Sequence, residues 1–201
     1  MSTENSKQKN AREKILSVAA EVFAEKSFDG ARVDEIAAKA QVPKSLIYYH
    51  FKSKDEIFHV LIQEFLEEYE SIRNSYHKDC SMMSEEEVKM RMQKEYFDFG
   101  IAHENVVRAL LMDSIKKRKE NTALFQMMDL FHMEDADKKF LVEDFLFQVI
   151  PCMAYICFKK EWIGYYQMEE SIFDQAFLQM YTETHTQSRK RRAIEKKEDK
   201  K

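Results

Sequence analysis

Apolar residues recur along the chain at intervals of three and four positions, the spacing that places side chains on one face of a helix. Ile15, Ala19 and Phe23 show this pattern near the N-terminus. It predicts helices at about residues 11–26, 33–40, 44–50, 84–99, 103–118, 121–132, 137–160 and 169–190, with one more that opens within 52–58. The alternating β-branched runs that indicate strands are absent from the sequence. The expected fold is all-α.

Composition supports this fold class and bounds the number of domains. Gly occurs 3 times and Pro 2 times in 201 residues, and apolar residues make up 44%, enough for a sizeable core. The length suits one large domain or two small ones. We expect a flexible lead-in at 1–10, three short helices within 11–55, a larger helical bundle at 56–188 and a basic, disordered tail at 189–201.

The formal net charge of −4 conceals an uneven distribution along the chain. Residues 1–54 carry 10 Lys and Arg against 7 Asp and Glu, and residues 189–201 carry 8 against 3. The stretch between them carries 14 against 26, a net charge of −12. Such an asymmetry indicates that a polyanion contacts one end of the molecule and not its middle.

Several features favour a soluble, cytoplasmic protein with no membrane partner. Cys80, Cys152 and Cys157 form no CxxC pair and no even set, which indicates a reducing compartment. The N-terminal residues are polar, unlike the apolar segment of a signal peptide. The longest strictly apolar run, 149–158, has half the length that spans a bilayer.

Three adjacent ring-bearing residues, Tyr48, Tyr49 and His50, cannot all belong to a core. On a helix they fan around roughly 200°, so at least two of them leave the apolar face. The alternative is that they are partly buried packing residues whose hydroxyls reach water. Because so short a helix cannot pack three large neighbouring side chains, we expect them to contact something outside the protein.

The helices predicted at 33–40 and 44–50 are joined by a tight turn, as in a helix-turn-helix. Ile47 and Phe51, four residues apart, would dock the third helix on the first two. The side chains left on its other sides are those of Lys44, Ser45, Leu46, Tyr48, Tyr49 and His50. A recognition helix needs such an outer face to reach phosphates and base edges, so the pattern indicates binding to double-stranded DNA.

The segment VDEIAAKAQVPKSLIYYHFKSKDEIF resembles the helix-turn-helix and following linker of the TetR family of bacterial transcriptional repressors. The preceding AREKILSVAAEVFAEKSFDGARV is similar to the family's first helix and the turn into its second. The resemblance covers about residues 11–60. It implies an all-α homodimeric repressor that binds a palindromic operator, with an N-terminal DNA-binding domain and a C-terminal bundle for ligand binding and dimerisation.

The resemblance also implies which residues contact DNA. In that family the tyrosine pair, the lysine that opens the third helix and the lysine after FKS touch DNA. The matching residues here are Tyr48, Tyr49, Lys44 and Lys54. Arg32, just before the second helix, either grips a phosphate at a helix N-terminus or is simply solvated.

Two positions depart from the family pattern. Gln41 stands where the turn usually has Gly, and a non-glycine residue held there in a left-handed conformation costs about 1 kcal/mol. Leu46 stands where Thr or Ser is common, and its side chain cannot hydrogen-bond a phosphate or a base. It can instead contact a thymine methyl group, which would alter the preferred operator sequence.

The resemblance places an inducer pocket and the dimer contacts in the C-terminal bundle. Met and aromatic residues crowd it, and together they favour an adaptable pocket for a small apolar or amphipathic ligand, although each alone is by default a core residue. The candidates for contacting that ligand are Tyr96, His103, Met112, Phe131 and Trp162. The predicted dimer face includes Phe145, Val149, Ile172, Phe173 and Phe177. The alternative is that this face serves only the core of one chain.

Catalysis is not expected from this sequence. It contains no HExxH, no GxSxG, no phosphate loop and no Cys/His cluster with zinc spacing, so we predict no catalytic residue, no cofactor and no metal site. Two other interpretations stay open. One is a regulator of the same fold that answers to a partner protein and has no small-molecule pocket. The other is a helical enzyme or scaffold whose N-terminal motif is accidental, which would have no specific DNA site.

Overall fold

The computed structural model describes residues 2–79, 84–117, 122–131 and 138–198, and all regular structure in these ranges is helical. The helices are α1 Ser2–Gly30, α2 Val33–Ala40, α3 Lys44–His50, α4 Lys54–Asp79, α5 Glu85–Ala102, α6 Glu104–Lys117, α7 Ala123–Phe131, α8 Lys138–Asp144, α9 Ile150–Tyr166 and α10 Glu170–Glu198. A π-helical turn, Phe145–Val149, joins α8 to α9. The predicted all-α fold is confirmed.

Two helices extend well beyond their predicted ends. α1 begins at Ser2 rather than near residue 11, and α10 continues to Glu198 rather than ending near residue 190. The added segments are rich in Lys, Arg, Glu and Gln, which have high helix propensity but supply no apolar period. Helix therefore covers most of the predicted lead-in at 1–10 and most of the predicted tail at 189–201. Residues 1 and 199–201 lie outside the described ranges.

The chain divides into two compact units, Met1–Met127 (the first unit) and Met128–Lys201 (the second unit). Within the first unit, α1 packs against α2, α3, α4 and α6. The three N-terminal helices therefore share a core with α4 and α6. The domain boundary predicted near residue 55 lies inside this unit. The pattern of apolar residues could not reveal this, because α1 contacts α6 across a long stretch of sequence.

An aromatic cluster around Phe23 occupies the core of the first unit. Phe23 is fully buried, and its ring centroid lies 5.9 Å from that of Phe28 and 5.1 Å from that of Phe58. Phe28 is near the end of α1, and Phe58 is in the first turns of α4. The cluster therefore fixes the end of α1, which leads into α2, against the helix that follows α3.

The corner between α1 and α2 turns at Ser27 and not at the nearby Gly30. Ser27 has φ 59° and ψ 170°, and its side chain is buried; no glycine in the described residues has positive φ. Non-glycine residues are strained in this region by about 1–3 kcal/mol. The Lys116 ammonium of α6 donates a 2.6 Å hydrogen bond to the Ser27 hydroxyl. This contact secures the corner, and its partners are too far apart in sequence for any local pattern to predict.

A left-handed residue, a proline and a helix cap form the turns on either side of α3. Gln41 ends α2 in the expected left-handed conformation, with φ 55° and ψ 44°. Pro43 is the extended residue just before α3. Ser53 caps α4, since its hydroxyl accepts a 3.1 Å hydrogen bond from the backbone N–H of Glu56. These turns fix the direction in which α3 leaves α2.

In the second unit, a polar cluster joins α9 to α10. The Tyr155 hydroxyl donates to Asp174 at 2.6 Å, and the Lys159 ammonium lies 2.7 Å from the same carboxylate. Burial alone would raise the pKa of Asp174, but the hydrogen bonds from Lys159 and Tyr155 outweigh it and lower that pKa. A lowered pKa means that the cluster stabilises the fold at neutral pH and loses this contribution as the pH falls through the folded-state pKa.

The segment Lys138–Tyr166 is longer and more continuous than the apolar run predicted at 149–158. Its 29 residues satisfy the length and composition of a membrane-crossing helix. Core helices of soluble proteins satisfy the same criteria, so this property alone assigns no location. Pro151, which lacks a backbone N–H, lies in the first turn of α9, directly after the π-helical turn.

Candidate DNA-binding surface

One face of α3 anchors it to the rest of the first unit. Ile47 is fully buried, and Phe51, just past the end of the helix, is nearly so. Ile36 and Ala40 are fully buried in α2, which packs against α3. The small side chain of Ala40 allows the close approach of these two helices. The two anchoring positions of α3 are those that the sequence predicts.

The opposite face of α3 is turned to solvent. Tyr48 and Tyr49 are 49% and 67% exposed, although large aromatic side chains are normally largely buried. Lys44 and Ser45 are exposed as well, while Leu46 and His50 are half-buried. Every residue that the sequence offers for DNA contact on α3 is thus outside the core, as a recognition helix requires. Contact with DNA itself stays a prediction.

Lys44 is already engaged by an acidic residue of α2. Its ammonium lies 2.6 Å from a carboxylate oxygen of Asp34 and 5.9 Å from the centroid of the Tyr48 ring. The hydrogen bond from Lys44 lowers the pKa of Asp34, and the same bond raises the pKa of Lys44. Nothing in the sequence pattern singles out Asp34. The pair joins the first turns of two different helices, so helical spacing gives no signal for it.

His50 is less exposed than Tyr48 and Tyr49. Its ring meets that of Tyr49 edge-on, with the centroids 5.0 Å apart, and its Nε2 is buried without a hydrogen-bond partner. The imidazole therefore supports the Tyr49 ring. A contact between His50 and DNA, as the sequence suggests, would need its Nε2 to become accessible.

Lys54 contacts the end of α1. Its ammonium donates to the backbone carbonyls of Phe28 and Ala31 at 2.7 and 3.0 Å and lies 4.4 Å from the centroid of the Phe28 ring. These carbonyls belong to the corner between α1 and α2, where no helical N–H is available to them. The resemblance assigns Lys54 to a DNA phosphate. Its observed contacts give it a second role, in holding that corner together.

We expect Lys54→Met to lower the free energy of unfolding by about 2 kcal/mol, because two carbonyls lose hydrogen bonds from a charged donor. Urea unfolding followed by circular dichroism measures this change. Lys52→Met, at an exposed position two residues away, is the matched control and should leave the midpoint unchanged. Equal stabilities for the two variants would show that Lys54 does not secure the corner.

Arg32 precedes α2 as its N-cap residue. Its backbone has φ −122° and ψ 140°, and its carbonyl accepts the first hydrogen bonds of the helix, from Glu35 and Ile36. The side chain is exposed. This placement at a helix N-terminus is compatible with a phosphate contact and with simple solvation, the two interpretations that the sequence leaves open.

The candidate ligand residues are distributed over both units. In the first unit, Tyr96 stacks on Tyr69 with centroids 4.4 Å apart, and Met112 is half-buried. In the second unit, Trp162 is about half exposed and its ring lies 4.7 Å from that of Tyr166. The side chain of Phe131 lies outside the described residues. Neither unit by itself therefore shows a single site made of these residues.

One cavity of about 500 Å³ lies in the first unit between α1, α4 and the turn from α5 to α6. Of the candidate ligand residues whose side chains the structure describes, only His103 lines it. The His103 ring nitrogens face the backbone carbonyl of Phe99 at 2.9 Å and a carboxylate oxygen of Glu68 at 3.1 Å. This histidine is thus held by two acceptors at the edge of the cavity.

The predicted dimer residues lie on the helices of the second unit. Phe173 and Phe177 of α10 pack against Tyr155, with ring centroids 5.6 and 4.4 Å away. Val149 is buried and Phe145 is half-buried, whereas Ile172 is 53% exposed. Part of the predicted face therefore packs within one chain, and part of it is open to solvent.

The family of the chain follows from its N-terminal half. The sequence profile of bacterial regulatory proteins of the tetR family matches residues 15–61, which include the whole of α2 and α3 and the anchored and exposed faces described above. The chain belongs to the TetR family. This confirms the resemblance seen in the sequence.

Among the described residues, no group of three or more His, Cys, Asp or Glu side chains could hold a metal ion.

Curated relatives that match part of the chain are transcriptional regulators. The chain is 32% identical over 71 residues to the HTH-type transcriptional repressor DhaR of Mycobacterium sp. (strain GP1), a match that covers 35% of this chain and 36% of DhaR. It is 40% identical over 47 residues to IcaR, a negative regulator of the biofilm operon icaADBC in Staphylococcus aureus (strain Newman), covering 23% of this chain and 25% of IcaR. The matches thus span well under two thirds of either relative.

The solved structure of another transcriptional regulator extends the likeness to most of the chain. The transcriptional regulator FadR from Bacillus subtilis, in complex with stearoyl-CoA, superposes with a TM-score of 0.54 at 16% identity. The match covers 84% of this chain and 96% of FadR. At this identity it shows that the two proteins share a fold, with an N-terminal helix-turn-helix followed by a helical C-terminal part.

Proposed function

We propose that this TetR-family protein is a cytoplasmic, DNA-binding transcriptional regulator that acts as a homodimeric repressor on a palindromic operator. The observation that carries the proposal is the division of α3 into an anchored and an exposed face. Ile47 and Phe51 are buried, while Tyr48 and Tyr49 stand in solvent. A helix held in this way can enter a major groove without losing its packing.

Each candidate residue of this surface has a chemical role in the proposed complex. Lys44, with Lys54 and Arg32 at neighbouring helix N-termini, would contact phosphates and make binding depend on salt. Ser45, Leu46, Tyr48, Tyr49 and His50 would meet base edges and thymine methyl groups and so fix sequence and register. Residues 11–55 would thus bind DNA, and residues 56–188 would bind a ligand and a second chain.

Dimerisation is part of the proposal because one recognition helix alone binds DNA weakly, whereas a two-fold dimer reads two half-sites. The second unit offers a surface for it. Large apolar side chains are about half exposed or more along α9 and α10, namely Phe158, Trp162, Tyr165, Tyr166, Ile172 and Met180. Apolar side chains exposed in such number are typical of a protein interface. Ile172 and its neighbours on α10 would pack there against a second copy.

Release from the operator would come from a small apolar or amphipathic ligand. The Met and aromatic content of the C-terminal part supports a pocket that adapts to such molecules. The shared fold with FadR, which is solved with stearoyl-CoA, supports the same ligand class. Binding would act through α4, because this helix follows α3 directly and packs against both α1 and α5. Coupling of this kind typically changes affinity by about 5- to 150-fold.

Selection of duplexes from a random pool by the immobilised protein tests this function. We expect enrichment of an inverted repeat whose half-sites are centred about 10 base pairs apart or a multiple of that spacing, as two symmetric recognition helices require. Enrichment of a single half-site would contradict the proposed binding as a dimer. A pool that stays random after repeated rounds would contradict sequence-specific DNA binding altogether.

A further inference from the structure

An acidic side chain lies on the surface that the proposed function assigns to DNA. Asp34, in the first turn of α2, is bonded to Lys44, the first residue of α3, at 2.6 Å. The two side chains are 57% and 48% exposed, so the pair stands at the surface and not in the core. Lys44 also lies over the exposed Tyr48 ring, which places Asp34 beside the DNA-facing side of α3.

The geometry holds Lys44 from two directions. Asp34 provides an opposite charge, and the Tyr48 ring provides an electron-rich face. The bond from Lys44 lowers the pKa of Asp34, so its carboxylate remains charged throughout the neutral range. A DNA phosphate that approaches Lys44 therefore meets an ammonium that already has an anionic partner, and a second negative charge beside it.

We propose that Asp34 limits the affinity of α3 for DNA by competing with a phosphate for the Lys44 ammonium. This inference rests on the proposed function. In forming a phosphate contact, Lys44 gives up Asp34, and the carboxylate is left without compensation close to the DNA backbone. Both effects raise the free energy of the complex. Because phosphates occur in every duplex, the penalty applies to the operator and to random DNA alike.

Such a competitor has a consequence for regulation. A repressor must leave its operator when its signal arrives, and a weaker complex needs a smaller coupling to be released. Asp34 lowers affinity without altering the residues that meet the base edges. It thereby adjusts the strength of repression separately from the choice of operator.

Asp34→Asn tests the inference, because it removes the charge and keeps the shape of the side chain. We expect the variant to bind both the selected duplex and a random duplex about three- to fivefold more tightly at 0.1 M salt. The slope of log affinity against log salt should become steeper by about 1, since the surface gains one net positive charge. Fluorescence anisotropy at four salt concentrations measures both quantities.

The mechanism through Lys44 is tested by combining substitutions. In the Lys44→Met background, Asp34→Asn should raise the affinity by clearly less than it does in the wild type, because the competed ammonium is gone and only the repulsion between the carboxylate and the DNA backbone is relieved. Asp34→Glu keeps a carboxylate in reach and should retain the wild-type affinity and salt slope. An equal gain in the presence and absence of Lys44 would overturn the inference, because Asp34 would then act by simple repulsion.

A matched control removes a similar charge elsewhere. Asp98 of α5 accepts from Lys94 at 2.5 Å in an exposed pair, so Asp98→Asn makes the same change in net charge far from α3 in sequence. It should leave DNA affinity unchanged, and a gain equal to that of Asp34→Asn would also overturn the inference. If the wild type binds no duplex at all, the proposed function fails. If the wild type binds and Asp34→Asn changes nothing, only the role of Asp34 fails.

Discussion

Phe23→Ala is expected to lower the free energy of unfolding by about 3–5 kcal/mol, the largest loss of stability that we predict. Phe23 is fully buried, and its ring contacts those of Phe28 and Phe58. Truncation to alanine removes the apolar area of the ring and leaves a cavity that α1, α4 and the corner before α2 must surround. Aromatic contacts beyond simple burial are lost as well.

Urea unfolding followed by circular dichroism measures this loss, with Phe125→Ala as the matched control. Phe125 of α7 is 43% exposed, so its removal creates little cavity and should cost less than about 1 kcal/mol. Similar losses for the two variants would contradict the central place given to Phe23. A stable Phe23→Ala variant with normal DNA binding would also show that the cluster does not position α2 and α3.

The second large effect concerns Tyr49, the more exposed member of the tyrosine pair. Tyr49→Ala should weaken binding to the selected duplex by about 10- to 100-fold, the range for losing a side chain that meets a base edge. Binding to a random duplex should change far less, because phosphate contacts dominate that complex. Stability should also stay close to that of the wild type, since the side chain is 67% exposed and buries little area in the free protein.

Competition anisotropy with the two duplexes separates these contributions, and thermal unfolding verifies that the variant folds. Tyr49→Phe is the conservative partner in the same assay. It keeps the ring, so a loss seen only in Tyr49→Ala assigns the contact to the ring, and an equal loss in both assigns it to the hydroxyl. If Tyr49→Ala binds both duplexes as the wild type does, α3 does not read sequence through this residue.

Local pattern was sufficient for the elements around α3. Ile47 and Phe51 are anchored, Tyr48 and Tyr49 are exposed, and Gln41 is left-handed, all as the sequence predicts. These features depend on neighbours within a few positions, where helical period and turn chemistry are informative. The family match at residues 15–61 covers the same stretch.

Contacts between distant residues were not predictable in this way. The hydrogen bond from Lys116 to Ser27 joins α6 to α1, and Lys54 bonds to carbonyls at the end of α1. Nothing in the spacing of these residues distinguishes a lysine that holds a corner from one that meets a phosphate. The same reason explains why Asp34 was missed, because its partner Lys44 lies on another helix.

The ends of α1 and α10 were mispredicted for a different reason. Their polar residues favour helix through propensity alone, which the apolar period does not reflect. A third limit of sequence-based prediction concerns the candidate ligand residues. Tyr96, His103 and Trp162 share suitable chemistry, but chemistry alone does not bring side chains from different helices to one place.

The central claim is that the exposed face of α3 recognises a particular DNA sequence. Its most direct test is the affinity of the wild-type protein for the selected duplex and for the same duplex with both half-sites scrambled, at 0.15 M salt. We predict that the selected duplex binds at least about 1,000-fold more tightly, since specific complexes exceed non-specific ones by that margin or more. Equal affinities for the two duplexes would show only the attraction of a basic surface for DNA, and would contradict the claim.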